Sequence, residues 1–276
     1  MSDLWVVGDV HGALDKLRTL LQGAGLIDVQ GEWTGGQAHL AFLGDYLDRG
    51  PEGAGVIRLV RSLQQQAPRQ GGQVTALLGN HEVMFLAARR FQAQDPRDRL
   101  GFRDYWRQNG GLERDAAALK DDDLSWMAAR PLLARTGSWL LMHADSRMYL
   151  RLGGAAQTVN ARIATLLSDL NADAWGEFLN AFAERHAFVL RGGTEAAEQT
   201  LQTFGALRMV HGHTPVYVLR DEHLHGPARG AGEPLTYAGG RVVAMDSGMA
   251  YRDDAGFVAR LGPHGLAEVV TLGALD

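Results

Sequence analysis

The chain has 276 residues, of which 46% are hydrophobic and 21% charged, and its formal net charge is -5. A chain of this size and composition buries a core large enough to fold without a partner. The acidic balance gives no general attraction to nucleic acid or to an anionic membrane, so any phosphate affinity must be local. The absence of cysteine excludes disulfides, thiolate ligands and a cysteine nucleophile, which leaves histidine, asparagine and carboxylates as metal ligands.

We expect one domain over residues 1–276, because no shift in composition divides the chain. The first residues run directly into an apolar strand, without the basic segment and apolar core of a signal peptide. No apolar stretch approaches the ~20 residues that span a bilayer. These features predict a cytoplasmic protein without a membrane partner.

Short apolar runs bounded by glycine recur along the chain and predict buried strands. They are Leu4–Val7, Leu40–Leu43, Val74–Leu78, Trp139–Met142, Leu207–Val210 and Val242–Met245. Helical patterns lie between several of them, at Ala13–Gln22 and Gly53–Gln66, and this alternation predicts an α/β layered fold. Residues 155–205 are predicted as a helical insertion with a helix near Trp175–Arg185, and Arg220–Tyr237 is predicted as a loop.

The first motif, Gly8–Gly12, follows the strand Leu4–Val7 directly. Asp9 and His11 lie two residues apart, so in extended backbone both side chains leave on one side and can share a cation. The glycines let the loop turn sharply and let a phosphate approach the backbone. The alternative is a polar loop that binds nothing.

The second motif, Gly44–Pro51, also follows an apolar run. Asp45 offers two carboxylate oxygens that can bridge two cations, and Asp48 and Arg49 follow it closely. The planar guanidinium of Arg49 matches a phosphate with two parallel hydrogen bonds. The alternative is a helix start with an acidic cap and Pro51 in its first turn.

Three further motifs follow apolar runs in the same way. In Gly79–Glu82, Asn80 can give its amide oxygen to a metal, and His81 is placed to donate a proton to a leaving group. His143 ends the fourth run and His213 follows the fifth. Ligands in open α/β sheets gather beyond the carboxyl ends of the strands, so these positions together predict one metal site.

These motifs in this order resemble the calcineurin-like metallophosphoesterases, and within them the phosphoprotein phosphatase group, especially its bacterial and phage-type members. The resemblance rests on GDVHG at 8–12, GDYLDRG at 44–50, GNHE at 79–82, His143 and GHT at 212–214, which spread over most of the chain. It implies a four-layer α/β fold, in which a central β-sandwich is flanked by helices and loops at one edge hold two metals.

The resemblance also implies which side chains bind the metals. They are Asp9, His11, Asp45, Asn80, His143 and His213. By this resemblance Asp9 and His11 hold the first metal and Asp45 bridges the two, while the last three complete the second. Ligands without thiolate are compatible with manganese, iron or zinc, and we favour two manganese ions.

The catalytic and phosphate-binding residues are likewise implied by resemblance. His81 would be the general acid, oriented by Asp48, and Arg49 and Asn80 would hold the phosphate. Arg191 would add a second arginine, as related phosphatases have one before the last histidine motif; the alternative is a surface arginine. The mechanism would be in-line attack on phosphorus by a hydroxide held between two divalent ions, without a phosphoenzyme.

Other positions near the motifs have weaker assignments. Asp246 resembles the closing Asp-Thr-Gly of the family and is expected to support the site without binding metal. The family commonly has His-Gly-Gly or His-Ala-Gly where this chain has His143–Ser146, and for Asp145 we favour a turn cap over a role in substrate choice. His211 is expected to be a structural neighbour. The histidines outside the motifs are expected to be ordinary: His39, His186, His223, His225 and His264.

The substrate is left open between two classes. Asp48 and Arg49 resemble serine/threonine protein phosphatases, so we favour a phosphomonoesterase of that type. Tyr105–Gly111 is also similar to symmetrical bis(5'-nucleosyl)-tetraphosphate hydrolases, which are the alternative. Tyr105 or Trp106 could stack on a nucleobase, although core packing is the favoured interpretation of both.

The expected substrate is therefore a phosphorylated protein or a small phosphorylated metabolite. A metal-stabilised binding module without turnover is a lesser alternative, because such a module has no need of His81, Asp48 and Arg49. A nucleic-acid phosphodiesterase is disfavoured by the acidic balance and by the absence of a basic stripe.

Overall fold

The computed structural model describes residues 3–91, 100–221 and 233–274, which form two five-stranded sheets flanked by helices. The strands are β1 (Leu4–Val7), β2 (His39–Phe42), β3 (Gln73–Ala76), β4 (Leu133–Thr136), β5 (Trp139–Met142), β6 (Arg208–His211), β7 (Leu235–Tyr237), β8 (Val242–Ala244), β9 (Phe257–Gly262) and β10 (Gly265–Thr271). Both sheets contribute to one continuous apolar core.

The two sheets share a plan, in which three neighbouring strands pair in parallel and two further strands join through antiparallel pairing. The first has the order β10-β9-β1-β2-β3, and β1, β2 and β3 are parallel. The second has the order β4-β5-β6-β8-β7, and β5, β6 and β8 are parallel. The three strands that pair in parallel in each sheet therefore end at loops on one edge of that sheet.

The helices fill the connections between the strands. They are α1 (Leu14–Gly23), α2 (Gly53–Gln66), α3 (Asn80–Arg90), α4 (Phe102–Gln108), α5 (Glu113–Ala118), α6 (Asp121–Ala128), α7 (Met148–Leu152), α8 (Ala156–Ser168), α9 (Ala172–Phe182), α10 (Gly193–Phe204) and α11 (Val216–Leu219), with short 3-10 helices at Ala67–Gln70 and Leu272–Ala274. On α2 the side chains of Val56, Val60 and Leu63 are fully buried, as the helical spacing of its apolar residues predicts.

All six predicted strands are present, with ends within two residues of those predicted. The sequence did not predict β4, β7, β9 and β10, which pair antiparallel with a neighbour. The prediction of a loop throughout Arg220–Tyr237 was wrong at its end, because β7 forms there by pairing with β8; residues 222–232 lie outside the described part of the chain.

The predicted helical region 155–205 contains α8, α9 and α10, and α9 ends three residues before the predicted Arg185. Within the described ranges, none of the helices has the length and the apolar composition needed to cross a bilayer.

Candidate metal centre and catalytic site

Side chains from six loops meet where the parallel strands of both sheets end. Three follow β1, β2 and β3, and three follow β5, β6 and β8. They are Asp9, Asp45, Asn80, His143, His213 and Asp246. None is more than 8% exposed, which means that the edge gathers polar groups that are costly to bury alone.

The second cluster in chain order forms around the amide oxygen of Asn80, which opens α3. His143 Nε2 lies 2.9 Å from Asn80 Oδ1, and His213 Nδ1 lies 3.0 Å from it. His143 Nδ1 donates to the Leu43 carbonyl at 3.0 Å, and burial lowers the pKa of His143, so its Nε2 carries a lone pair. Lone pairs on Nε2 and Oδ1 therefore face each other, an arrangement that a cation between them would stabilise.

The first cluster in chain order lies around His11. Its Nδ1 donates to the Leu47 carbonyl at 3.0 Å, and its Nε2 lies 3.5 Å from Asp45 Oδ2 and 3.9 Å from Asp9 Oδ2. Burial, followed by the nearby Arg49, lowers the pKa of His11 to about 3. Metal-binding histidines usually donate their other ring N–H to a carbonyl or carboxylate, as both His11 and His143 do here.

The expectation of extended backbone through this motif was wrong. His11 has φ 46, in the left-handed region, so its side chain reaches that of Asp9 through a turn of the loop and not through strand alternation. His213 is left-handed as well, with φ 65, and its Nε2 is buried without a hydrogen-bond partner among the described residues.

Asp45 connects the two clusters. Its Oδ2 faces His11, while its Oδ1 lies 3.4 Å from His143 Nε2 and accepts from the His81 backbone N–H at 3.0 Å. Burial raises the pKa of this carboxyl, but four surrounding histidines outweigh burial and hold the pKa well below its usual range. The carboxylate is therefore ionised, with one oxygen toward each cluster, as a bridging ligand requires.

Two glycines allow the carboxylates to approach the backbone this closely. A Cβ on Gly79 would lie 2.2 Å from Asp45 Oδ1, and a Cβ on Gly212 would lie 2.1 Å from Asp9 Oδ1. The His213 backbone N–H donates to both oxygens of Asp9, at 2.9 and 3.1 Å. The donor set, its tautomers and these glycines together fit a pair of divalent cations.

His81 lies beside these clusters and is held by Asp48. His81 Nδ1 is 2.7 Å from Asp48 Oδ2, and Trp106 Nε1 donates to Asp48 Oδ1 at 2.9 Å. Burial raises the pKa of Asp48 to about 9 and lowers that of His81 well below its usual value, so both groups favour their uncharged forms. Asp48 thus orients the ring through Nδ1, and the opposite nitrogen, Nε2, lies 4.0 Å from Asp45 Oδ2.

The structure distinguishes core packing from base stacking for Trp106. Its side chain is 1% exposed, and its N–H is used by Asp48, so it packs in the core and cannot stack on a nucleobase. The neighbouring Gly110 carbonyl accepts from the Arg49 backbone N–H at 2.9 Å. The segment Tyr105–Gly111 therefore holds the second motif in place.

Arg49 lies at the edge of the first cluster. Its guanidinium donates to His11 Nε2 and lies 5.0 Å from the centre of the Tyr251 ring. Because His11 Nε2 has a single lone pair, this contact and a metal ion on the same nitrogen exclude each other. With metal on His11, the guanidinium must turn away from that nitrogen, which frees its N–H groups.

Glu82 was part of a motif but was given no role in the sequence analysis. It is completely buried and accepts from the backbone N–H groups of Asp45, Tyr46 and Gly79 at 2.8, 2.8 and 3.0 Å. It thereby ties the second motif to the third. The position of Glu82 in the GNHE motif was the feature of the sequence that could have identified this role.

Asp115 was missed entirely, because no motif surrounds it. It is buried and accepts from the Asp48 and Ala54 backbone N–H groups at 3.4 and 3.3 Å. It thus links the loop of Asp48 to the start of α2.

Asp145 occupies the position where the chain departs from the family. It is fully buried, and its carboxylate accepts from the Thr214 hydroxyl at 2.5 Å and from the His186 backbone N–H at 2.7 Å. Both oxygens are engaged, which agrees with a structural role more than with substrate contact. The residue connects the fourth motif, the fifth motif and the segment between α9 and α10 of the helical insertion.

The insertion brings Arg185, and not Arg191, to the site. The Arg185 guanidinium donates to the His213 carbonyl, next to the second cluster. Arg191 is exposed, one residue before the N-cap of α10, and has no recorded bond to the candidate ligands among the described residues. The sequence carried no signal that distinguishes the two arginines.

The remaining positions have structural contacts. Asp246 is buried, its Oδ1 accepts from the Gly248 backbone N–H at 2.8 Å, and burial raises its pKa to about 6. His211 Nδ1 lies 2.8 Å from the Gly212 carbonyl, and its Nε2 lies 2.8 Å from the Tyr237 hydroxyl. Of the histidines expected to be ordinary, His223 and His225 lie outside the described residues.

Comparison with known proteins supports the motif analysis. The calcineurin-like phosphoesterase family profile matches residues 3–217. The chain is 42% identical over 81 residues to Shewanella-like protein phosphatase 2 of Arabidopsis thaliana, which covers 29% of this chain and 21% of that protein. It is 30% identical over 183 residues to a symmetrical bis(5'-nucleosyl)-tetraphosphatase of Salmonella paratyphi C, covering 64% of this chain and 54% of that protein.

The fold is also shared with solved structures. A cold-active protein tyrosine phosphatase of a psychrophilic Shewanella species superposes with a TM-score of 0.68 at 23% identity, over 99% of this chain and 80% of that one. The predicted fold class is thereby confirmed. Because the family profile covers most of its length, the chain belongs to the calcineurin-like phosphoesterase family.

Proposed function

We propose that the protein is a metal-dependent phosphoester hydrolase, and specifically a phosphomonoesterase of the serine/threonine phosphoprotein phosphatase type. The observation that carries this proposal is the pair of lone-pair clusters that share Asp45, with the His81–Asp48 pair beside them. A scaffold that only binds metal has no use for a buried, oriented imidazole next to its ligands. That feature therefore favours catalysis over a binding module.

The residues divide into two metal positions. Asp9, His11 and Asp45 would hold one divalent ion, and Asp45 with three further ligands would hold the other: Asn80, His143 and His213. We favour manganese, with iron or zinc as alternatives, since the donors are oxygen and nitrogen only. When bound, the two ions would activate the attacking water and neutralise charge on the phosphoryl oxygens.

The chain's own groups would then bind and protonate the substrate. Arg49, turned away from His11, and Arg185 both offer planar guanidinium forks that match phosphoryl oxygens, and Asn80 offers its amide N–H groups. His81 would pass a proton from Nε2 to the departing oxygen, while Asp48 fixes the ring through Nδ1. In this proposal Arg185 takes the second arginine role first assigned to Arg191.

A second candidate is symmetrical hydrolysis of a dinucleoside tetraphosphate. It is favoured by the longer alignment with the Salmonella tetraphosphatase, over 64% of this chain, whereas the Arabidopsis phosphatase aligns over 29%. The similarity at Tyr105–Gly111 does not separate the two, because that segment supports Asp48 and Arg49. Substrate preference must therefore be measured.

The test uses metal-stripped protein reloaded with manganese and three substrates: a phosphoserine peptide, diadenosine tetraphosphate and an aryl phosphodiester. Asp45→Asn and His81→Asn probe the site, and Asp104→Asn, an exposed carboxylate far from the motifs in sequence, is the matched control. Preference for the peptide supports the phosphoprotein proposal, and preference for the dinucleotide supports the second candidate. Wild-type activity that survives in both site variants would overturn the mechanism.

A further inference from the structure

The Asp48 side chain is fully buried, and its two carboxyl oxygens face different partners. Oδ2 lies 2.7 Å from His81 Nδ1, and Oδ1 accepts from the indole N–H of Trp106 at 2.9 Å. Among the described residues, no other donor forms a hydrogen bond with Oδ1. An oxygen buried without a donor costs free energy, so the indole N–H is what stabilises this end of the carboxyl group.

The two contacts together fix the plane of the carboxyl group. Rotation about the bond between Cβ and Cγ of an aspartate is broad, because that bond joins a tetrahedral carbon to a planar one. A contact at one oxygen alone leaves part of this rotation open. With Trp106 on Oδ1 and His81 on Oδ2, the rotation is restricted from both ends, and the imidazole of His81 has a partner with one orientation.

The backbone beneath Asp48 is held by the same segment of the chain. Asp48 and Arg49 are both left-handed, with φ 73 and φ 65, a conformation that costs free energy outside glycine and persists where surrounding contacts stabilise it. The Arg49 N–H donates to the Gly110 carbonyl at 2.9 Å, and the Asp48 N–H donates to Asp115 at 3.4 Å. Trp106 therefore adds a side-chain contact to a loop whose backbone is already fixed.

The Trp106 ring is itself closely packed. It is 1% exposed, and its centre lies 5.3 Å from that of Phe85, which is one turn after His81 on α3. On its other side, a Cβ on Gly111 would lie 2.3 Å from Trp106 Cε2 and 2.6 Å from Nε1. The indole thus joins the helix that carries His81 to the loop that carries Asp48, and a larger residue at position 111 would displace it.

We propose that Trp106 is a positioning residue for proton transfer, whose indole N–H holds the Asp48 carboxyl group and, through it, the His81 imidazole in the orientation that protonates the leaving oxygen. The proposal rests on the hydrolase function proposed above. Because Trp106 is buried in the core, it acts through Asp48 and touches neither substrate nor metal. Loss of its N–H should therefore slow the step that needs a proton and leave substrate binding and metal content unchanged.

The experiment removes the indole N–H and keeps the fold. Trp106→Phe is measured beside protein in which Trp106 is replaced by benzothienylalanine, where sulfur takes the place of the N–H group and the volume of the side chain is retained. Gly111→Ala displaces the ring without changing it. The matched control is Trp33→Phe, because Trp33 is 2% exposed and its N–H donates to the Gly36 carbonyl at 3.1 Å, outside the motifs.

Manganese-loaded proteins are compared on a phosphoserine peptide, whose leaving alkoxide needs a proton, and on nitrophenyl phosphate, whose leaving group does not. We expect the Trp106 and Gly111 variants to lower kcat about tenfold on the peptide and less than about twofold on the nitrophenyl ester, with KM and manganese content as in wild type. Trp33→Phe should match wild type throughout. A wild-type kcat in the benzothienylalanine protein, or an equal loss on both substrates, would overturn the proposal.

A spectroscopic measurement separates this proposal from the hydrolase function on which it rests. Nitrogen NMR of the histidine rings in zinc-loaded protein, which is diamagnetic, reports the orientation and hydrogen bonding of His81 without turnover. We expect the His81 ring resonances to move in Trp106→Phe, while those of His39 on β2 stay in place. If wild type hydrolyses neither substrate and the His81 resonances still move, the hydrolase proposal fails and the positioning contact stands. Unmoved His81 resonances would refute the positioning role whatever the activity.

Discussion

The loops after the first sheet and those after the second make unequal halves of the site. The first half supplies Asp9, His11 and Asp45, which is the proposed bridge, together with the His81–Asp48 pair. It is tied internally by Glu82. Its geometry depends on contacts between residues that all belong to the motifs, which is why the motifs alone describe it well.

The second half supplies His143 and His213 and is tied by Asp145 instead. That carboxylate accepts from the His186 backbone N–H between α9 and α10 of the helical insertion, and Arg185 donates to the His213 carbonyl from the same segment. The second half is therefore coupled to an element outside the motifs. The difference indicates that the first half fixes the chemistry, while the second leaves room for the insertion to adjust phosphate binding.

Removal of the shared ligand should have the largest effect. Asp45→Asn loses the ionised bridge between the clusters, so we expect a fall in kcat/KM of at least about a thousandfold and loss of both metals. Metal content by mass spectrometry and steady-state kinetics test this. Retention of both metals at wild-type affinity would contradict a shared ligand and make the two halves independent.

Removal of the proposed proton donor, His81, should affect turnover more than substrate binding. His81→Asn is expected to lower kcat by about a hundredfold to ten thousandfold on alkyl phosphates, and much less on aryl phosphates whose leaving groups need no proton. A series of aryl phosphates with different leaving-group pKa values measures this dependence. An equal loss across the series would argue that His81 acts as a ligand or a structural residue.

Glu82 stabilises the first half and Asp145 the second, so substitutions of these two carboxylates compare the halves directly. Glu82→Gln cannot accept all three N–H groups and should lower the free energy of unfolding by about 2 kcal/mol. Asp145→Asn should cost less stability and should mainly raise KM, because it loosens the segment that holds Arg185. Urea unfolding and kinetics measure both, with the exposed Glu113→Gln as control. Equal changes in the free energy of unfolding and in KM for the two variants would contradict the proposed difference between the halves.

The arginines of the insertion allow a smaller and more specific test. Arg185→Lys removes a planar fork next to the second cluster and should raise KM about tenfold, whereas Arg191→Lys should leave KM unchanged. Steady-state kinetics on one phosphomonoester suffices. The reverse result would restore Arg191 to the role that the resemblance first suggested.

The smallest effect is expected in the first sheet, away from both halves. His39 is buried, its Nε2 lies 2.8 Å from the Thr75 hydroxyl, and burial lowers its pKa. The folded state thus binds this proton more weakly than the unfolded state, so its contribution to stability is present above pH 6.5 and is lost as the pH falls below it. His39→Gln should lose less stability than wild type between pH 7.5 and pH 5.5 in thermal melts. Parallel curves for the two proteins would contradict this.

The strand ends explain how much of the site could be predicted. Asp9, Asp45, Asn80, His143 and His213 all follow buried strands, and the carboxyl ends of parallel strands lie at one edge of a sheet. The six strands that pair in parallel contain apolar runs and could be predicted from the sequence. The strands β4, β7, β9 and β10, which pair only antiparallel, could not, because β7 and the β9–β10 pair exist through antiparallel partners and their sequences are mixed.

The sequence by itself determined the donor types, their order along the chain and the family, because these depend on which residues follow which apolar runs. Only the tertiary structure decided the tautomers of His11 and His143, the choice of Arg185 over Arg191, and the roles of Glu82 and Asp145. Each of these rests on a contact between segments far apart in the chain. Such contacts follow from how the two sheets and the insertion pack, and no local pattern of residues encodes them.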